Sequence, residues 1–190
     1  MNEDFTNDLD ACVDVLRNGG IILYPTDTVW GLGCDATNAE AVEKIIHLKR
    51  RPAHKSFVTL LADERDLVQY VAAPDLGVFD YLEKQERPTT IVYEHALGLA
   101  DNVLADDGSV AIRITKDGFC KKIVKRLRRP IVSTSANLSG EPAPAIFNEI
   151  SPVIVNGVDY AVQYRRDDNS RAQPSKIIQW ENGEVKILRP

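Results

Sequence analysis

Apolar positions outline this chain before any motif does. Over residues 7–18, Leu9, Cys12, Val13 and Leu16 fall on one helical face and Gly19-Gly20 follows as a stop, which predicts an amphipathic helix. Ile21-Ile22-Leu23 is too short an apolar run for a helix and predicts a buried strand. Pro25 ends it by removing a backbone donor and fixing φ. Thr37-Asn38-Ala39-Glu40 has capping-box spacing, with Thr37 as N-cap and Glu40 at the third helical position. The helix it opens turns Val42, Ile45, Ile46 and Leu48 inward. It ends in Lys49-Arg50-Arg51-Pro52, where the proline disfavours helical geometry at Arg51.

Farther along, short β-rich runs predict strands at 57–61, 89–93 and 110–114, another from Pro130, and three in the tail at 160–164, 176–180 and 184–188. Asn182-Gly183 between the last two is a hairpin signal. Helices are predicted over 63–70 with Asp63 as cap, around 76–84, and over 117–129. The last has a polar face of Lys121, Lys122, Lys125, Arg126, Arg128 and Arg129. Residues 95–108 read as irregular, Ser133 to Gly140 as a polar loop, and 165–173 as polar enough for a mobile loop. Early alternation of strand and helix with a strand-rich end gives the α/β class: one domain over residues 1–190, a mixed sheet with helices packed on it.

Composition narrows the function classes. With 44% hydrophobic and 27% charged residues, the 190-residue chain has the make-up of a globular protein, and no apolar stretch approaches membrane-spanning length. The acidic start lacks a signal peptide's basic and apolar regions. Cys12, Cys34 and Cys120 are odd in number and widely spaced, as expected of a reduced, cytoplasmic protein without a disulfide framework or cysteine zinc site. His47, His54 and His95 fit no ligand pattern, so no protein-held metal is expected. A net charge of -5 argues against a general nucleic-acid coat and leaves a local basic patch open.

Three stretches could carry chemistry. Thr26-Asp27-Thr28 puts two hydroxyls and a carboxylate at the carboxyl end of a buried strand, a usual ligand position in open α/β sheets. The same residues also suit an ordinary turn. Lys49 and Arg51, with Lys55 beyond the proline, could swing towards one anion if the helix breaks, or simply satisfy the helix macrodipole. Ser133-Thr134-Ser135-Ala136-Asn137-Leu138-Ser139-Gly140 offers hydroxyls, an amide and backbone N–H groups to a purine, ribose or phosphate, or is a serine-rich turn. No G-x-S-x-G elbow supports a serine nucleophile.

Taken together, Pro25-Thr26-Asp27-Thr28 with Gly31-Leu32-Gly33, Lys49-x-Arg51-Pro52, Ser135-x-Asn137-Leu138-Ser139-Gly140, and Pro174-Ser175 with Leu188-Arg189-Pro190 resemble the YrdC family in order and spacing, over nearly the whole chain and in its short form. The resemblance implies an open, twisted mixed sheet with flanking helices and a concave cationic cavity. It implies L-threonylcarbamoyladenylate synthase activity: L-threonine, bicarbonate or CO2, and ATP, with Mg2+, give threonylcarbamoyl-AMP and pyrophosphate. A separate tRNA threonylcarbamoyl transferase complex then uses the product. Carried over by position, Thr28, Arg113, Ser133 and Ser175 would hold threonine. Lys49, Arg51, Lys55, Ser109, Ser135, Asn137, Arg171 and Arg189 would face ATP, with Lys49 and Arg51 also catalytic and Arg171 closing over the nucleotide. Gly31 and Gly33 would leave room for the small substrate.

Departures from the family pattern are Trp30 for tyrosine, Glu86-Arg87-Pro88 for a glycine-containing turn, Thr115 for a proline, and Lys176 for a threonine. They bear on pocket detail more than on the reaction. Asp27 could act as a base, help hold magnesium, or bond its own turn. The competing reading is a non-catalytic, ribosome-associated module contacting double-stranded RNA or tRNA through the basic helix, a helix that otherwise reads as a solvated face. A hydrogenase-maturation carbamoyl-adenylate step is disfavoured because this chain lacks room for the accompanying domains.

Overall fold

The computed structural model describes residues 5–52, 56–181 and 183–190. Helix α1 (Thr6–Arg17) buries Leu9, Cys12, Val13 and Leu16, the predicted stripe, and Gly19 beyond it adopts φ +70. Strands β1 (Ile22–Tyr24) and β2 (Gly31–Gly33) form an antiparallel pair, so residues 25–30 are the connection between them. Helix α2 (Ala39–Lys49) is capped by Asn38, whose side chain accepts from the Ala41 N–H, and not by Thr37. The Thr37 hydroxyl is drawn instead to Asp35 Oδ1, 2.7 Å away. The helix ends at Arg50, which turns left-handed at φ 51 before Pro52 can act.

Strands β3 (Val58–Leu61), β4 (Thr89–Tyr93), β5 (Val110–Ile114) and β6 (Ile131–Ser135) follow, with the short helix α3 (Val78–Glu83) and α4 (Gly118–Leu127) between them. Helix α5 (Pro152–Asn156) and strands β7 (Tyr160–Ala161), β8 (Lys176–Glu181) and β9 (Glu184–Arg189) complete the chain. The strand expected at 160–164 is thus only two residues long, and α4 stops short of 129 because Arg128 is left-handed. Asp63 precedes a 3-10 turn over Glu64–Gln69 without capping it, since its carboxylate pairs with Lys125 at 2.9 Å. Of the predicted hairpin dipeptide, Gly183 has φ +82, and Asn182 lies outside the described residues.

Among the described residues, nine strands form one sheet in the order β7-β1-β2-β6-β3-β5-β4-β8-β9. Pairs β7–β1, β3–β5 and β4–β8 are parallel and the rest antiparallel, the mixed sheet expected. Because side chains alternate along a strand, the register sorts the faces. Gly31 opposes Ser135, Val58 opposes both Ser133 and Ala111, Leu60 opposes Arg113, and Ile177 opposes Thr90 and Arg189, all on one face. The other face offers Leu32, Val132, Ile112, Ile91 and Ile178. All are buried, in a core shared with Leu16 of α1 and Phe119 and Ile123 of α4. The three cysteines are free and buried. Among the described residues no helix is long and apolar enough to cross a membrane.

Candidate active site

Ser133, Thr134 and Ser135 belong to a strand, not to the polar loop expected from their hydroxyls. β6 lies between β2 and β3, and its pairing on both sides outweighs the local turn preference of serine. That placement lays Ser133 and Ser135 on the same face as Arg113. A cavity of about 180 Å3 opens there, lined by Thr28, Gly31, Arg51, Phe57, Arg113, Ser133, Ser135, Ser175 and Arg189, among others. Among the described residues, three guanidinium groups and no carboxylate line it. A larger space of about 880 Å3 lies at the carboxyl ends of β3 and β5, bounded by Asp27, Arg65, Glu83, Lys116 and Lys121. Of the described residues expected to hold threonine or ATP it touches none.

Several of the lining groups are held by their neighbours. Thr26 Oγ1 donates to Val29 O at 2.8 Å and accepts from the Thr28 N–H at 3.0 Å. With that proton used, the 3.0 Å contact between the two threonine hydroxyls is donated by Thr28, whose oxygen keeps lone pairs for a ligand donor. The Arg51 guanidinium donates to Ser56 O at 2.6 Å and lies 4.5 Å over the Phe57 ring; burial lowers its pKa. Arg189 donates to Ser175 O at 2.8 Å and to Ser175 Oγ at 3.3 Å, and the same hydroxyl lies 2.8 Å from Thr90 Oγ1. Thr90 therefore positions Ser175, a contribution hidden in the sequence because β4 and β8 meet only through the sheet. Arg87, from the turn that departs from the family pattern, donates to Pro174 O at 2.6 Å and steadies the same segment.

Lys49 stands behind this wall. It is 1% exposed, and its Nζ donates to Ser135 O and, at 2.6 Å, to Asn137 O, while its own carbonyl accepts from the Ser139 N–H at 2.8 Å. Burial, and secondarily the Arg51 charge, push its pKa down to about 7. The left-handed turn at Arg50 thus sends Lys49 inward and Arg51 into the cavity lining. Asn137 Nδ2 donates to Glu141 O at 2.8 Å, and its buried Oδ1 has no partner. Ser109 and Arg171 do not line the cavity. The Ser109 N–H donates to Asp107, and Arg171 pairs with Glu149 at 2.6 Å on the surface. Lys55 and His54 lie outside the described residues.

Two glycine expectations separate. A Cβ at Gly31 would meet nothing closer than Thr134 O at 3.4 Å, so this glycine does border the cavity. A Cβ at Gly33 would meet Tyr24 Cε1 at 2.6 Å and Val132 O at 2.9 Å; Gly33 makes room for the buried Tyr24 ring, not for a substrate. Gly33→Ala is therefore expected to lose about 1–3 kcal/mol of stability through overpacking, and Gly31→Ala less than about 0.5 kcal/mol. Equal denaturation midpoints for the two variants would contradict this.

Asp27 does not bond its own turn. Its Oδ2 accepts from the Lys116 N–H at 3.3 Å and from Thr115 Oγ1 at 3.4 Å, and its Oδ1 lies 3.1 Å from an Arg113 nitrogen. Among the described residues no three His, Cys, Asp or Glu side chains cluster as metal ligands. His47 is exposed beside Glu43. On α4 and just beyond it, Lys125, Arg126 and Arg129 pair with Asp63, Asp10 and Asp35, and Lys122 lies 4.5 Å over the Phe5 ring, so much of the basic face is balanced within the chain.

Comparison with known proteins bears on the family and the fold. A threonylcarbamoyl-AMP synthase of Stenotrophomonas maltophilia is 32% identical over 180 residues, covering 93% of this chain and 96% of that protein. P. abyssi Sua5 complexed with L-threonine superposes with a TM-score of 0.84 at 22% identity over 96% of this chain, which spans 53% of that longer one. E. coli YciO gives 0.81 at 20% identity, covering 96% of this chain and 88% of its own. These two structures share the fold of the mixed sheet. A family model described as telomere recombination, Sua5/YciO/YrdC, matches residues 14–190, and the chain belongs to that family.

Proposed function

We propose that the chain is an L-threonylcarbamoyladenylate synthase, a nucleotidyltransferase making threonylcarbamoyl-AMP and pyrophosphate from L-threonine, bicarbonate or CO2, and ATP. The observation that carries this reading is the convergence of Arg51, Arg113 and Arg189 with the Thr28, Ser133 and Ser175 hydroxyls on one cavity whose described lining holds no carboxylate. The S. maltophilia relative, named for this activity and matched along almost its whole length, supports it. At about 180 Å3 the cavity falls below the roughly 300–1,000 Å3 of drug-sized sites and suits a small amino acid. A nucleotide would extend outward past Arg51 and Arg189.

In this reading Arg113 takes the threonine carboxylate as a planar fork, and Thr28 Oγ1 accepts from its amine. The amine nitrogen bonds to CO2 and gives up a proton, forming a carbamate. A carbamate oxygen then attacks the α-phosphorus as the bond to the β-phosphate oxygen breaks, and pyrophosphate leaves. Arg51 and Arg189 neutralise charge on the phosphates, while Lys49 keeps Ser135 and Asn137 in place from behind. The chain's task is positioning and electrostatics, with no protein nucleophile. Cys12, Cys34 and Cys120, whose pKa values burial raises, are unsuited to that role. Magnesium would arrive with ATP as part of the substrate. The enzyme would work in the cytoplasm and hand its product to a tRNA threonylcarbamoyl transferase complex.

The deciding experiment incubates the purified protein with ATP, magnesium and bicarbonate, with and without L-threonine. Threonine-dependent pyrophosphate release is expected. Release that is unchanged without threonine, or equal with other amino acids, would overturn the assignment.

A further inference from the structure

The contacts around Asp27 leave a pattern that the reaction above does not use. Arg113 is 4% exposed, a buried cation that needs a countercharge. Asp27 supplies one at 3.1 Å, yet the approach is not aligned as a hydrogen bond. Asp27 Oδ1 and Arg113 Nε and Nη2 are all buried without a hydrogen-bond partner. Nε and Nη2 form the side edge of the guanidinium fork, an edge suited to a carboxylate. Asp27 thus balances the charge without consuming the donors. Its other oxygen is fixed from β5's exit, by the Thr115 hydroxyl at 3.4 Å and the Lys116 N–H at 3.3 Å.

Thr115 belongs to a ring of contacts. Its Oγ1 accepts from the Asp117 N–H at 3.2 Å. The Asp117 carboxylate accepts from Arg165 at 2.7 Å, and Arg165 reaches back to Thr26 O at 3.5 Å. The turn bearing Asp27 is therefore tied at both ends. A proline at 115 would lack the hydroxyl that both Asp27 and the Asp117 N–H use, and the backbone N–H that here donates to Leu61 O at 3.0 Å.

We infer that Asp27 is a positioning residue for the amino-acid substrate: held by Thr115 and Lys116, it fixes the Arg113 guanidinium for a substrate carboxylate while leaving its hydrogen-bond donors open. This rests on the synthase reading. Asp27 touches no reacting atom, so its removal acts through Arg113 alone.

The test is steady-state pyrophosphate release by the full chain, varying threonine and ATP separately. Asp27→Asn, which keeps the shape and removes the charge, is expected to raise the KM for threonine roughly tenfold, with kcat and the KM for ATP within about twofold. Thr115→Val should raise the KM for threonine about two- to fourfold, and Asp27→Glu should recover part of the Asp27→Asn loss. In an Arg113→Lys background, Asp27→Asn should add less than about a twofold further change, because the two act as a unit. An unchanged KM for threonine in Asp27→Asn, or full additivity with Arg113→Lys, would overturn the inference. So would an equal fall in kcat for all variants. If Asp27→Asn does not fold, Thr115→Val decides: an unchanged KM for threonine in that variant would overturn the inference. Absence of threonine-dependent release in the wild-type protein would instead overturn the synthase reading itself.

Discussion

Arg113→Ala should lower kcat/KM for threonine by roughly a hundredfold or more while ATP binding stays near wild type. A charged hydrogen bond contributes about 1.5–3 kcal/mol, and a two-pronged carboxylate contact uses two of them. The same change leaves Asp27 facing an empty site. Breaking a fully buried pair costs ~3–5 kcal/mol, and with the Asp27 side chain 14% exposed about 2–3 kcal/mol is expected here. The two losses can be separated. In the double variant Asp27→Asn/Arg113→Ala the stranded carboxylate is gone, so stability should largely return while activity does not. Titration calorimetry with ATP, denaturant unfolding and pyrophosphate release would read the three quantities. Wild-type threonine kinetics in Arg113→Ala would remove Arg113 from the substrate site.

The second large effect concerns Lys49, whose role here is to brace. Lys49→Met keeps the volume and removes the donor shared by Ser135 O and Asn137 O, each worth about 1–3 kcal/mol when left unsatisfied. Against this stands the cost of burying a charge, so the net loss depends on pH. Below about pH 7 the folded and unfolded chains both hold the lysine proton, and the cost is present in full. As pH rises from 7 towards the ordinary value of 10.5, the unfolded chain keeps a proton that the folded chain has released, and the cost is relieved. Wild type should therefore gain stability over Lys49→Met by on the order of 1–2 kcal/mol between pH 7 and 9. At all pH values the variant's kcat/KM for ATP should fall by roughly tenfold, as the loop from Ser135 to Ser139 loses its anchor. A stability difference that is flat from pH 6 to 9 would show that Lys49 does not titrate in its buried site.

The sequence spoke most clearly where local pattern and final burial coincide. The α1 stripe, the apolar runs of β3 and β5, and the hairpin leading into β9 could all be read from spacing. Glycines are depleted in strands, so Gly31-Leu32-Gly33 gave no strand signal, and only the Tyr24 ring explains why Gly33 is tolerated there. Asn38 displaced Thr37 as cap because both side chains can accept the bond, and Asp35, invisible to a capping-box pattern, took the threonine hydroxyl. For the site, Thr28, Arg51, Arg113, Ser133, Ser175 and Arg189 were legible through family resemblance, and the structure brings all six to one cavity. The Asp27–Arg113 pair was not legible. No spacing rule relates a turn residue to a strand residue far along the chain; only the sheet order makes them neighbours.

That sheet order also bears on how the protein folds. Three of the strand pairs around the cavity join segments distant in the chain: β2 with β6, β3 with β5, β4 with β8. Closing such long loops costs chain entropy before any contact compensates, and topologies rich in non-local pairing fold slowly. The hairpin of β1 and β2 can zip early, but Arg189 cannot reach Ser175 in its native place until β8 has docked on β4. Substrate-binding competence should therefore be among the last properties to appear during refolding, after helical signal and compactness have recovered.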